Sequence, residues 1–188
     1  MLNSASKPLK LLALSLSLFL INGCSSINVN DYAGNKPELK LFDFFSGKTY
    51  AWGQFQDRSG KVIRRFTVDI TGTVTPQEQP LLTLDERFIY DDGEKQQRVW
   101  KITETSPNHF TGLADDVVGE AFGQSAGNAL NWRYVLDLPY QDSTIQVNFD
   151  DWMFLHTHNT MMNVAKVTKW GFTVGQVTLF FSKQPITE

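Results

Sequence analysis

The chain has a single cysteine, Cys24, among 188 residues, so no internal disulfide can form. Histidine is scarce, at three residues, and none sits in an HExxH pattern. There is no G-x-S-x-G nucleophile elbow. Gly72 and Gly93 stand alone, with no phosphate-cradling loop around them. Lys and Arg number 17 against 20 Asp and Glu, and they form no run or stripe. Proteins that hold phosphate backbones cluster their cations, so nucleic-acid binding is excluded as a main activity. No motif calls for a cofactor or a metal centre. Sustained helical periodicity is also missing. These absences favour a binding or structural role over catalysis without closing the catalytic reading.

What is present begins with Lys7 and Lys10, followed by an apolar run from Leu11 to Ile21 broken only by Ser15 and Ser17. No acidic residue precedes Asp31. The run matches the core of a secretion signal and is short for a bilayer span. It closes with Leu20-Ile21-Asn22-Gly23-Cys24, which resembles the bacterial lipobox. That resemblance implies a signal peptide over residues 1–23 and a thioether-linked diacylglycerol on Cys24, usually joined by an amide-linked chain such as palmitate. The alternative is a buried core thiol after an ordinary signal. Each buried methylene contributes about 0.8 kcal/mol, so two or three acyl chains would make release very slow. Ser25, where an Asp would mark inner-membrane retention, implies an outer-membrane anchor facing the periplasm by resemblance to enterobacterial sorting. Loss of Lys7 and Lys10 would take the net charge from −3 to −5.

Residues 24–37 are polar and aperiodic and are expected to form a tether. Residues 38–188 suit one domain. Glu38 to Phe45 fits a short helical plug at one end of it. The remainder reads as strands and turns. Expected strands cover 48–55, 61–75, 81–90, 96–105, 109–113, 117–122, 129–138, 144–154, 161–170 and 172–182. Asp57-Arg58-Ser59-Gly60, Asp91-Asp92-Gly93 and Ser106-Pro107-Asn108 supply turns. Short connections imply an all-β antiparallel up-and-down meander of about eight to ten strands, closed into a barrel so that no edge is exposed.

Small residues occupy alternate positions at Gly119, Ala121, Gly123, Ser125, Gly127 and Ala129. In one extended strand they would share a face, and a bare inner face leaves room for a ligand. The alternative is a bend, a turn, or close approach of a neighbouring element. Aromatic residues are abundant, with 14 Phe, 5 Trp and 5 Tyr. Trp52, Trp100, Trp132 and Tyr134 are candidates for an apolar cavity wall, against the alternative of core packing. Glu86 and Arg98 interrupt strands. Facing inward they would orient a ligand's polar end, since an unpaired buried charge is costly; facing outward they would be a solvated pair. Asp151, His156 and His158 form a possible polar site. Two histidines alone define no metal centre.

Several stretches carry a family resemblance: Phe44-Phe45-Ser46-Gly47, Phe88-Ile89-Tyr90-Asp91-Asp92-Gly93, Arg98-Val99-Trp100, Asp116-Val117-Val118-Gly119, Gly123 through Ala129, and Asp151-Trp152-Met153. The chain resembles the DUF3833 family, a group of proteobacterial lipoproteins of unknown function. At fold level it also resembles calycins, the barrels of lipocalins and fatty-acid-binding proteins, although Gly47-Lys48-Thr49-Tyr50-Ala51-Trp52 departs from the lipocalin opening Gly-x-Trp. Together these imply a membrane-anchored barrel that binds a hydrophobic or lipid-like small molecule, for storage, transport or envelope maintenance. Two alternatives stand: a filled barrel that binds an envelope protein partner, and a hydrolase-like enzyme on lipid-like substrates using Asp151 and the nearby histidines.

Overall fold

The computed structural model describes residues 27–140 and 143–185. The expected export segment and Cys24 lie outside them. Ten antiparallel strands close on themselves: β1 (Gly47–Asp57), β2 (Val62–Thr75), β3 (Leu81–Tyr90), β4 (Lys95–Ser106), β5 (His109–Leu113), β6 (Ala121–Ala126), β7 (Ala129–Tyr140), β8 (Ser143–Thr157), β9 (Thr160–Lys169) and β10 (Phe172–Ser182). Each strand pairs with its sequence neighbours, and β1 meets β10 through pairs such as Trp52↔Phe180 and Phe55↔Val177. This is the closed antiparallel meander expected from the alternation and the short connections, and it has the barrel form that the calycin resemblance implies.

Two local readings are corrected. The sixth strand begins at Ala121, not Val117; Val117 makes only an isolated bridge to Leu136. Residues 114–120 instead cross the barrel wall as an irregular connection, with Gly119 in the left-handed region at φ 71°. The expected tether also becomes ordered early. Asn28 caps a 3-10 turn at Val29–Tyr32 by accepting from the Asn30 N–H, and Asp31 reaches back to the Asn28 N–H. Val29 is buried, and the Tyr32 ring packs against Phe154 and Trp152 on the outer face of β8. Hydrophobic burial of those two side chains outweighs the polar character of their neighbours.

The expected plug is one helical turn, α1 (Leu41–Phe45). Leu41, Phe44 and Phe45 are buried, with Phe45 edge-on to Phe181 of β10 at 5.7 Å. A latch holds it: Lys183 Nζ donates to the Phe44 carbonyl (2.8 Å), the Ser46 carbonyl (2.9 Å) and Thr49 Oγ1 (3.0 Å). The last carbonyls of a helix have no partner within it, so this ammonium caps α1 while tying the end of β10 to it. One end of the barrel is thereby closed. Among the described residues, the hairpin turns after β1, β3 and β9 surround the other end, the mouth.

Candidate functional site

Strand alternation sends Phe66, Val68 and Ile70 of β2, Leu84, Glu86 and Phe88 of β3, and Arg98, Trp100 and Ile102 of β4 to the interior. Opposite them stand Trp132, Tyr134 and Leu136 of β7, Phe149 and Asp151 of β8, and Asn163 of β9. These side chains do not fill the barrel. They enclose a cavity of ≈ 650 Å³. Its floor is apolar, built from Leu41, Phe45, Ile70 and Phe181. Toward the mouth it is apolar again, through Phe55, Ile63, Leu138, Ile145 and Val174. The interior face also carries a polar group made of Glu86, Arg98, Tyr134, Asp151 and Asn163.

Aromatic contacts fix one wall. Trp100 meets Trp132 edge-on at 5.6 Å and Tyr134 edge-on at 5.3 Å. Tyr134 stacks on Phe149 at 5.0 Å with the rings 9° apart. Such pairs limit rotamer choice, so the wall keeps its shape without a ligand.

The polar group is asymmetric. Arg98 donates from Nε and Nη2 to Asp116 at 2.7 to 3.0 Å, a bidentate pair that is largely shielded from solvent. Burial disfavours the Arg98 charge, but the Asp116 carboxylate outweighs it and holds the guanidinium protonated. Glu86 faces Arg98 in the β3–β4 register, yet the guanidinium points to Asp116 instead. Protein surrounds the Glu86 carboxyl, and its remaining surface faces the cavity. Burial pushes its pKa up to about 7, against the pull of Arg98 and with a further push from Asp116 and Asp151. Asp151 is buried and accepts from Asn163 Nδ2 at 3.1 Å. Burial raises it to about 6, although Asn163, the Tyr134 hydroxyl and Arg98 favour its charge. Burial, followed by the Asp151 charge, keeps the Tyr134 hydroxyl protonated.

The candidates named from sequence divide. Glu86, Arg98, Trp100, Trp132, Tyr134 and Asp151 come together around the cavity. Trp52 does not: it lies on the outer face of β1, beside Phe180 at 6.3 Å. Inward positions of β1 are the odd ones, from Thr49 to Phe55, so the shared face of Tyr50 and Trp52 is the outside. Gly119 lies exposed in the β5–β6 connection. Ala121 and Gly123 do face inward, but the space above Gly123 is occupied. A Cβ there would stand 2.6 Å from Trp132 Cζ3, and one on Gly112 would stand 2.6 Å from Trp132 Cζ2. The small residues therefore seat an indole and leave no void. Gly127 likewise admits the Tyr32 backbone. His156 and His158 are exposed, and His156 sits on the opposite face of β8 from Asp151, so the three do not form one site. Among the described residues no cluster of three or more His, Cys, Asp or Glu is placed to hold a metal ion.

Asn163 and Phe149 belong to no site motif in the sequence, and Asp116 and Phe88 enter the sequence reading only within stretches of family resemblance, not as site candidates. Phe88 and Phe149 share strand parity with Glu86 and Asp151 and were legible by that signal. Asn163 falls in the alternation Met161, Asn163, Ala165. Asp116 lies in an irregular connection, where no periodicity points inward.

The sequence pattern of the family described as a protein of unknown function, DUF3833, matches residues 18–183. The chain belongs to the DUF3833 family. No curated protein shows significant sequence similarity to it. Among solved structures, this DUF3833 protein is similar to the S-type phycobiliprotein lyase CPES from Guillardia theta, at a TM-score of 0.60 and 8% identity, covering 86% of this chain and 100% of that one. At that identity the likeness concerns the barrel alone.

Proposed function

We propose that this DUF3833 protein is a periplasmic lipoprotein, anchored by acylated Cys24 in the outer membrane, whose barrel holds a hydrophobic or lipid-like small molecule. The observation that carries the reading is the ≈ 650 Å³ cavity inside a closed barrel, apolar along most of its wall and polar at one patch. That volume lies within the range of small-molecule sites. A ligand that buries about 300 Å² of apolar surface there gains roughly 7 kcal/mol before the cost of immobilisation, so micromolar binding, which needs about 8 kcal/mol net, also draws on hydrogen bonds at the polar patch. The same barrel in a phycobiliprotein lyase is compatible with a pocketed role. The anchor rests on the lipobox resemblance, and outer-membrane sorting on Ser25.

The test is native mass spectrometry of the full chain extracted from membranes in mild detergent, with organic extraction of any co-purifying species. A bound small molecule in the protein peak supports the reading. A ligand-free barrel that also takes up no apolar fluorophore ends it. In parallel, metabolic labelling with a radioactive fatty acid should mark the unaltered chain and leave Cys24→Ser unlabelled; equal labelling of both would refute acylation at Cys24.

A second reading, assembly with an envelope partner, draws on Trp170 and Phe172, 84% and 75% exposed at the β9–β10 hairpin. The filled barrel expected with that reading does not match the cavity. Loss of a defined complex in Trp170→Ser/Phe172→Ser, with ligand content unchanged, would favour it.

A further inference from the structure

The arginines that reach the cavity are both engaged. Arg98 is held by Asp116. Arg64, near the mouth, is bound to Asp92 at 3.1 Å and Glu94 at 2.6 Å, and its guanidinium lies 3.5 Å over the Tyr90 ring. Glu86 and Asp151 differ: among the described residues neither has a cation within 4 Å. Their neighbours are neutral donors, the Trp100 indole beside Glu86 and Asn163 with Tyr134 beside Asp151. The cavity thus offers two carboxyl groups and no unclaimed cation.

Building on the ligand-binding reading above, we propose that the cavity selects an amphipathic molecule whose polar end donates hydrogen bonds, an ammonium above all and a hydroxyl less strongly, and rejects a fatty-acid carboxylate. A carboxylate head would add a third negative group beside Glu86 and Asp151, with no free guanidinium to receive it. An ammonium supplies the charge that the two carboxyls lack and lets both ionise. A hydroxyl can donate to either carboxyl but neutralises nothing, so it ranks between. The raised proton affinity of Glu86 and Asp151 in the empty barrel fits a site short of positive charge. Around the pair stand Arg98 with Asp116, Tyr134, and Asp150, which Arg133 holds at 3.2 Å; Arg64 and Tyr90 lie toward the mouth.

Three probes with one apolar body separate the possibilities: dodecylamine, 1-dodecanol and dodecanoate, each below its aggregation limit. They are titrated into the delipidated full chain at pH 7.5 by displacement of an apolar fluorophore. The expected result is dodecylamine at least tenfold tighter than dodecanoate, with dodecanol between, and a fall of that ratio in Glu86→Gln and in Asp151→Asn. Calorimetry in two buffers at pH 6, where both carboxyls still hold much of their proton, should show proton release on amine binding. Dodecanoate binding as tightly as dodecylamine overturns the inference but leaves the ligand-binding reading intact. A preference that persists unchanged in both variants overturns the assignment to these carboxyls. Uptake of none of the three, and no uptake of the fluorophore, removes the underlying reading as well. Should a variant fail to fold, the ranking in the unaltered protein still decides.

Discussion

Gly123 of β6 and Trp132 of β7 are directly paired, and the Trp132 indole lies over the place where a side chain on residue 123 would stand. Gly112 of β5 provides the other half of the seat. Adding a methyl group forces the indole toward Trp100, its edge-on neighbour at 5.6 Å, in a wall already packed on both sides. Overpacking of this kind costs typically 1–3 kcal/mol. Gly123→Ala should therefore lower the midpoint of thermal unfolding by roughly 4–10 °C. Trp132→Leu should recover part of that loss when combined with Gly123→Ala. Additive effects in the double variant would show that the two positions do not share a volume.

The same pair shows what sequence could and could not supply. Alternation along β6 correctly put Ala121, Gly123 and Ser125 on one face, because strand periodicity is a local property. Whether that face is hollow depends on a side chain from another strand, and Trp132 occupies it. Trp52 was misplaced for a related reason. Spacing joins it to Tyr50 on one face, but which face turns inward is settled by Thr49, Ala51 and the closure against β10. Glu86 and Asp151 were visible as carboxyls within strands. Their relation to Arg98 was not, because Asp116, which claims the guanidinium, lies 18 residues away in an irregular connection.

Glu86 titrates at about 7 in the folded chain against an ordinary value of 4.5, and Asp151 at about 6 against 3.8. Both folded values are raised, so the native state holds protons that the unfolded chain has released. Stability from these groups is fully present below about pH 4 and is lost as pH rises through 6 and 7. The unfolding free energy of the empty barrel should fall between pH 4.5 and 7.5 by a contribution on the order of 2 kcal/mol from Glu86. Glu86→Gln should flatten the upper part of that curve. Urea titrations at half-unit pH steps would check it, and a variant curve parallel to that of the unaltered protein would refute the assignment.

Asp116 sets the polarity of the cavity by occupying Arg98. In Asp116→Asn the guanidinium loses its charged partner and can turn to Glu86, which faces it in the register. Removing one member of a buried pair is costly, and this partly exposed one should cost about 2 kcal/mol. Two consequences separate that loss from simple damage. The pH dependence assigned to Glu86 should move downward, because a nearby cation favours its ionised form. Dodecanoate should also gain on dodecylamine in the displacement assay, with the ratio shifting at least tenfold toward the acid.

Lys183 joins the end of β10 to the plug through three acceptors, and burial lowers its proton affinity. Lys183→Met keeps the stem's packing but leaves the Phe44 and Ser46 carbonyls and Thr49 Oγ1 without this donor. Thr49 is wholly buried, so water cannot replace the lost bond there at no cost. A loss of about 1–2 kcal/mol is expected, with the amides of residues 44–49 exchanging hydrogen faster than those of β3 and β7. Uniformly faster exchange across the barrel would mean that the latch supports the whole fold and not the plug alone.

Trp170 lies at the tip of the β9–β10 hairpin with φ 52°, followed by Gly171 at φ 83°. Two successive positive φ values define the tight hairpin turn that Asn-Gly forms with least strain. Tryptophan is a poor choice there: its Cβ crowds the backbone in the left-handed region, and its ring is 84% exposed, so burial returns little. The partial compensation visible is Lys169 Nζ, 4.5 Å from the ring centroid, an exposed cation–π contact that contributes about 0.5 kcal/mol. Trp170→Asn should therefore raise stability by about 0.5–1 kcal/mol in a chemical denaturation series. If it does, the fold alone does not account for an exposed indole in a strained turn at the rim of the mouth. If stability falls instead, the ring is held by packing that its exposure does not reveal, and its position is structural.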